Sequence, residues 1–276
     1  MTRYGMVVNL DRCNGCYNCL VACKDEHVGN AYPPYSAPQP NTGEFWMAIK
    51  ERERGQYPYA VKVSFTPTPC MGCRDAPCVK ASADGAVYAR PDGVVVIDPV
   101  KAKGQRQLVD SCPYGAIFWN QELEVAQKCT FCLQRVEKGT VPRCVESCPT
   151  DAIAFGDMDD PNSEVAKLVA SGRAETLSPE LGIDTAVRYI DLPKAMIAGS
   201  VYLTDVDECA AGAQVTLTEG SDVRKATANA YGDFEFDRLL PGKTYALKIE
   251  RQGYSAFSQS VAIQGDTFLG DIGLKK

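Results

Sequence analysis

The residues Cys13-Asn-Gly-Cys16-Tyr-Asn-Cys19-Leu-Val-Ala-Cys23 place four thiols in one short stretch, at the spacing C-x2-C-x2-C-x3-C. This spacing is typical of a [4Fe–4S] site, where three closely spaced cysteines hold three corners of one cubane. The fourth cysteine follows on a helical turn and points away from the other three; in two-cluster ferredoxins it ligates the other cluster. The stretch therefore predicts a second cysteine run elsewhere in the chain.

A later run supplies the expected partner. It contains Cys129-Thr-Phe-Cys132 and, after an insertion, Cys144-Val-Glu-Ser-Cys148-Pro149. Because proline cannot continue a helix, the chain should turn away directly after this last cysteine. Exchange of the two fourth cysteines completes both sites. We expect set 1 to consist of Cys13, Cys16, Cys19 and Cys148, and set 2 of Cys129, Cys132, Cys144 and Cys23.

A third set begins with Cys70-Met-Gly-Cys73-Arg-Asp-Ala-Pro-Cys78. The same exchange predicts that its fourth thiol lies downstream in another Cys-Pro turn, and Cys112-Pro113 is such a turn. Set 3 thus consists of Cys70, Cys73, Cys78 and Cys112. The sequence predicts three [4Fe–4S] clusters in all.

The spacing also identifies a fourth set whose ligands have been replaced. Its ligand positions are found by counting back from Cys112 and forward from Cys78 at the same spacing. These positions hold residue types other than cysteine. We call these residues the substituted set: Ala102, Gln105, Leu108 and Ser82. We expect them to pack as ordinary core without a metal, with hydrogen-bond partners for their polar atoms.

The composition indicates a globular protein and argues against a nucleic-acid partner. The chain has 276 residues, 45% of them hydrophobic, and a net charge of −6, whereas a nucleic-acid-binding surface would need a basic stripe. The first residues, MTRYGMVVNL, lack the apolar run of a secretory signal, and no twin-arginine pair is present. We therefore expect a cytoplasmic location with reduced thiols. No stretch approaches about 18 consecutive apolar residues, so no membrane-spanning segment is predicted.

Two other chemistries also use clustered cysteines. Disulfides are disfavoured where thiols stay reduced. Two C-x2-C pairs would make an ordinary zinc ribbon, and such pairs alone would leave the metal undecided. The triple runs with a following Cys-Pro are denser than a ribbon needs, and they favour iron and sulfide. Cys209 is remote in sequence from every set, and we expect it to be a half-buried thiol that ligates nothing.

The segments between the cysteine runs predict short strands at 4–10, 85–88, 94–97, 115–119 and 152–155, and a capped helix at 163–171. Residues 24–69 form a long insertion that is rich in proline and aromatic residues. We expect an ordered arm that faces a partner, the alternative being an arm that packs on its own domain. His27, the only histidine, is expected at the surface because cysteines already complete each set.

From about residue 199 the sequence changes to short runs that alternate apolar and polar residues, separated by turn signals such as Leu240-Pro-Gly242. This pattern predicts a β-sandwich. We therefore expect an α+β chain with two domains. Residues 1–198 form a ferredoxin-type iron–sulfur domain with two ferredoxin-like halves, including the insertion 24–69, and residues 199–276 form the all-β sandwich.

Several motifs carry a family resemblance. With the three cysteine sets, the segments Gly43-Glu-Phe-Trp46, Cys112-Pro-Tyr-Gly115 and Phe155-Gly-Asp-Met-Asp-Asp-Pro161 resemble the iron–sulfur subunits of molybdopterin oxidoreductases of the dimethyl-sulfoxide-reductase family, over about residues 4–195. The resemblance implies four [4Fe–4S] clusters and electron exchange with a large subunit that binds molybdopterin and performs the chemistry. This chain departs from the family by lacking one set and by adding a sandwich, which resembles the prealbumin-like, carboxypeptidase-regulatory type.

Two classes of function are open at this point. In the first, the chain is the electron-transfer subunit of a molybdopterin enzyme, in a heterodimer, and carries no catalytic residue of its own. In the second, it is a free polyferredoxin that diffuses between redox partners and docks through its sandwich. The long insertion and the sandwich favour the first class.

Overall fold

The computed structural model describes residues 2–57 and 60–276. The chain divides into two compact units. The first comprises Met1–Glu51 and Phe65–Leu192, and the second comprises Arg52–Ser64 and Pro193–Lys276. No helix in the described residues has both the length and the apolar character needed to cross a membrane.

The helices and strands before residue 193 are short, and most of them flank a cysteine run. In chain order they are β1 (Tyr4–Asn9), α1 (Asn18–His27), β2 (Ala48–Gln56), β3 (Ala60–Thr68), α2 (Pro77–Lys80), β4 (Val87–Ala89), β5 (Val95–Ile97), β6 (Phe118–Asn120), β7 (Val125–Gln127), α3 (Leu133–Val136), α4 (Arg143–Glu146), β8 (Ile153–Asp157), α5 (Glu164–Ala170) and β9 (Val187–Ile190).

The central strand of the first unit is β1, which pairs antiparallel with β8 and parallel with β9. Successive side chains of a strand point to opposite faces of the sheet. Met6 and Val8 accordingly lie in the core that contains buried cysteines of sets 1 and 2, whereas Val7 packs with Val165 of α5. The sheet therefore has thiols on one face and a helix on the other.

The predicted local elements of this unit are found with bounds that differ by one to three residues. The helix α5 begins after Ser163, whose Oγ accepts a hydrogen bond from the Ala166 amide, and it ends before Gly172 at φ +72°. The strands β4 and β5 form the predicted hairpin. The strand predicted at 115–119 is confirmed only from Phe118 onward, because Gly115 has φ +67° and the Ala116 amide donates to the Cys112 sulfur at 3.4 Å.

The substituted set packs as expected. Ala102 and Leu108 are fully buried in an apolar core. Gln105 accepts a hydrogen bond from the Ala83 amide at 3.2 Å and donates to a carbonyl at 2.9 Å, and the Ser82 hydroxyl accepts from a backbone amide at 3.2 Å. Cysteines of set 3 contact the same core, so Ala102 and Leu108 contribute to a hydrophobic core beside set 3, whereas Ser82 and Gln105 are half-buried.

Substitution of Leu108 tests whether the substituted set contributes to the free energy of unfolding. We expect Leu108→Ala to lower the free energy of unfolding by about 2–5 kcal/mol, because it opens a cavity in a filled core. The measurement is the denaturant midpoint of the anaerobic protein, with iron content unchanged. Leu123→Ala, at a leucine whose side chain is 41% exposed, is the matched control. A Leu108→Ala effect no larger than the control would contradict the packing.

The long insertion is divided between the two units. Trp46 and Met47 are buried in the first unit, next to cysteines. The outer part of the β2–β3 pair, Arg52–Ser64, belongs to the second unit. There the Arg54 guanidinium and the Lys62 ammonium both pair with the Asp237 carboxylate, at 3.2 and 3.0 Å. Pro58 and Tyr59 lie outside the described residues, and the partner-facing role of the insertion stays a prediction.

The later strands of the second unit are β10 (Ala195–Leu203), β11 (Glu208–Cys209), β12 (Gln214–Glu219), β13 (Asp222–Thr227), β14 (Asp233–Leu239), β15 (Thr244–Glu250), β16 (Phe257–Ala262) and β17 (Thr267–Leu274). They form two four-stranded sheets. One has the order β11-β10-β14, with β17 beside β10, and the other has the order β13-β12-β15-β16.

The two sheets of the second unit share one apolar core. Buried residues alternate with exposed ones along β12, β14 and β15, as the sequence pattern predicted. The strand β10 begins at Ala195 and the unit at Pro193, so the structure divides the chain earlier than the predicted boundary after residue 198. The reason is that the four buried residues 195–198 already pair with strands of this unit.

Candidate iron–sulfur centres

The thiols of set 1 lie together although one of them comes from a distant part of the sequence. Burial raises the pKa of Cys19 to about 12, and the nearby thiols of Cys13, Cys148 and Cys16 add to this effect. The pKa of Cys13 is raised by burial and by the same two neighbours, Cys148 and Cys16. The Cys148 thiol, from the later Cys-Pro turn, therefore lies near the thiols of the first run.

The thiols of set 2 are more deeply buried. Burial raises the pKa of Cys23 well above its ordinary value, and the nearby Cys129 and Cys132 raise it further. The pKa of Cys144 is also raised, first by burial and then by Cys132, Cys23 and Cys129. The exchange of fourth cysteines inferred from the spacing thus agrees with the proximity of the side chains.

Set 3 surrounds an apolar pocket. All four of its thiols line this pocket, together with the ring of Tyr114. Burial raises the pKa of Cys73 to about 12, and Cys70, Cys112 and Cys78 raise it further.

Set 2 is a neighbour of both other sets, and we call the order set 1, set 2, set 3 the row. Cys19 of set 1 is close enough to raise the pKa of both Cys23 and Cys144 of set 2. Cys70 of set 3 likewise raises the pKa of Cys129 of set 2. At the set 1 end of the row Cys16 is exposed. At the other end, Cys78 packs in the core that contains the substituted set. The sequence could not order the sets, because the order depends on contacts between distant segments.

The loops around the thiols have the backbone that wrapping a cluster requires. Gly15, Tyr17, Gly72 and Cys132 all have positive φ within or beside the cysteine runs. At Gly15 a Cβ atom would lie 2.5 Å from the Phe65 ring, so glycine is needed there for space as well as for conformation.

Backbone amides point at the sulfurs. The amides of Ala116, Phe131 and Ala152 donate to Cys112, Cys129 and Cys148 at 3.4, 3.4 and 3.3 Å. Hydrogen bonds of this kind stabilise a thiolate and help to set the potential of a cluster.

The donor sets fit [4Fe–4S] clusters. All thirteen cysteines are free, and twelve of them form three groups of four. Without a cation these buried thiols would stay protonated at neutral pH, because burial raises their pKa. A cluster supplies the positive iron that allows four thiolates to share one buried site.

Lys128 is a buried lysine beside set 3. Its ammonium donates to the Cys129 carbonyl at 3.1 Å and to the Val95 carbonyl. Burial by itself lowers the pKa of Lys128. The neighbouring Cys70, Cys78 and Cys129 raise it by more, so the net pKa is raised. The sequence gives no sign of this burial, because a lysine beside a metal ligand is more often exposed.

His27 is buried, so the prediction that it lies at the surface is wrong. Its Nε2 lies 3.6 Å from the Cys132 sulfur, and its ring lies 4.7 Å from the Trp46 ring. Burial lowers its pKa to about 4, so it is neutral at pH 7. The signal was present in the sequence: Cys19, Cys23 and His27 recur every four residues and share one face of α1.

Cys209 lies in β11 of the second unit, where it is exposed and not half-buried as expected. It pairs through its backbone with Tyr202. Its thiol is free.

Two known domain families match the chain. The family described as 4Fe-4S dicluster domain matches residues 61–158, and the carboxypeptidase regulatory-like domain matches residues 196–274. The second match supports the predicted type of the C-terminal β region.

Several curated proteins are similar to this chain. The pyrogallol hydroxytransferase small subunit of Pelobacter acidigallici is 40% identical over 95% of this chain and 96% of its own length. A putative dimethyl sulfoxide reductase iron-sulfur subunit of Halobacterium salinarum is 36% identical over 69% of this chain and 80% of its own. A sulfite dehydrogenase subunit of Allochromatium vinosum is 35% identical over 75% of this chain and 91% of its own.

Proposed function

The chain belongs to the iron–sulfur subunits of molybdopterin oxidoreductases of the dimethyl-sulfoxide-reductase family, and from this we propose that it is the small subunit of a pyrogallol–phloroglucinol transhydroxylase. In this proposal it carries three [4Fe–4S] clusters, in two ferredoxin-like halves of its first unit. The molybdopterin and the chemistry belong to a large partner subunit, in a heterodimer.

One observation carries the assignment to a hydroxytransferase. The similarity to the Pelobacter acidigallici small subunit extends over 95% of this chain and therefore includes most of the second unit. The other two relatives match only 69% and 75% of the chain. A sandwich attached to an iron–sulfur unit is thus a feature shared with the hydroxytransferase subunit.

The residues of this chain have a defined task in the proposed complex. Twelve cysteines would hold the clusters, as set 1 (Cys13, Cys16, Cys19 and Cys148), set 2 (Cys129, Cys132, Cys144 and Cys23) and set 3 (Cys70, Cys73, Cys78 and Cys112). When bound, a cluster accepts and releases single electrons. The buried side chains around the thiols exclude water, and the amides that point at the sulfurs stabilise the thiolates.

The experiment is purification of a tagged chain from its native host under anaerobic conditions. We expect a large chain to co-purify in a one-to-one ratio, with molybdenum in that large chain and iron in this one. Recovery of an iron-containing chain alone would favour the free polyferredoxin. A molybdenum partner that acts on another substrate would favour a different oxidoreductase of the same family. The cytoplasmic location stays a prediction that cell fractionation would test.

A further inference from the structure

Lys128 is a buried cationic side chain beside set 3. Its exposure is 3%. Its ammonium donates to the carbonyls of Val95 and Cys129. Within the described residues, no carboxylate forms an ion pair with it, whereas Arg135 near set 2 pairs with two glutamates.

A buried ammonium is costly unless a negative charge compensates it. Carbonyl groups supply dipoles but no net charge. The groups near Lys128 that would become negative on binding a cluster are the thiols of Cys70, Cys78 and Cys129, two from set 3 and one from set 2. Lys128 also lines the pocket enclosed by the four cysteines of set 3. The charge that Lys128 compensates is therefore that of the metal-loaded set 3.

The number of negative charges at an iron–sulfur centre increases by one on reduction, and the surrounding charge helps to set the reduction potential. A fixed positive charge next to the thiolates favours the more negative, reduced form. We propose that Lys128 is a charge-compensating residue that raises the reduction potential of the centre held by set 3, so that an electron on this chain resides there preferentially. The inference rests on the proposed iron–sulfur function.

The size of the shift should differ between the three centres. Lys128 lines the pocket that the four cysteines of set 3 enclose. The centre of set 2 should therefore be raised less than that of set 3. Set 1 has no described contact with Lys128 and should be unaffected.

The test is an anaerobic redox titration of the whole complex, followed by EPR, for the wild type, Lys128→Met and Lys128→Gln. The signal of set 3 is identified as the one lost in Cys112→Ser. We expect both variants to make reduction of set 3 about tenfold less favourable, a fall of about 59 mV for one electron. The potential of set 2 should fall less, and that of set 1 should stay constant.

Lys80→Met is the matched control. It removes the same charge two residues from Cys78, but the Lys80 side chain is 64% exposed and pairs with Asp75 at 2.6 Å. Its set 3 potential should equal that of the wild type, because solvent screens the charge.

The two substitutions separate charge from hydrogen bonding. Glutamine can still donate to the carbonyls, so an unchanged potential in Lys128→Gln with a shift in Lys128→Met would overturn the charge argument. Loss of the set 3 signal in both variants would also overturn it, in favour of a role in assembly. Absence of iron from the wild-type complex would instead refute the proposed function itself.

Discussion

The complex should contain about twelve iron and twelve sulfide per small chain, four of each for every set of four cysteines. Twelve of the thirteen thiols divide into three groups in the structure. Chemical analysis of iron and acid-labile sulfide after anaerobic purification measures these numbers. A value near sixteen of each, or zinc in place of iron, would refute three [4Fe–4S] clusters.

The exchange of fourth cysteines can be tested with two double variants that each remove two thiols. If Cys148 belongs to set 1, Cys13→Ser with Cys148→Ser should remove one cluster, about four iron. Cys144→Ser with Cys148→Ser should then remove two clusters, about eight iron. The reverse result would show that Cys148 ligates with Cys144, in the order of the sequence. Cys209→Ser is the control and should leave the iron content and the EPR signals unchanged, because Cys209 belongs to the second unit and the three predicted sets belong to the first.

The second large effect concerns turnover of the proposed enzyme. We expect the two-chain complex to convert pyrogallol to phloroglucinol without an added electron acceptor, through many more turnovers than the complex has redox centres. Pyrogallol and phloroglucinol are isomers, so the net conversion releases no electrons that a carrier must remove. Chromatography of both phenols, with and without acceptor, measures the rates. A strict requirement for an external acceptor would lead us to abandon the transhydroxylase assignment.

The position of the substituted set relative to the large chain offers a second test of the transhydroxylase assignment. A conventional oxidoreductase of the family needs a path from the active site to an external carrier, and loss of a whole terminal centre would remove such an exit. The substituted set lies beside set 3, at the opposite end of the row from the exposed Cys16. Cross-linking at Lys101 and Lys103, which flank Ala102, should therefore give no links to the large chain. Links from this region would place the lost centre next to the partner and contradict the argument.

Local features of the sequence were sufficient to predict much of this protein. The ligand spacing predicted all three sets and the substituted set, because three ligands of each cubane come from a limited stretch of chain. Alternation of apolar and polar residues predicted that the second unit is built of strands. The edge strand β13 was missed because its sequence, Asp-Val-Arg-Lys-Ala-Thr, exposes most of its side chains and lacks that alternation.

Only the tertiary structure decided the features that depend on contacts between distant segments. The order of the three sets follows from which thiols approach each other across the first unit. The outer part of the insertion belongs to the second unit because Arg54 and Lys62 find carboxylates there. Lys128 and His27 are buried because other segments cover them. The sequence neighbours of a lysine or a histidine do not reveal whether it is exposed or buried. Its charge and its effect on a neighbouring thiolate depend on the groups that replace water around it.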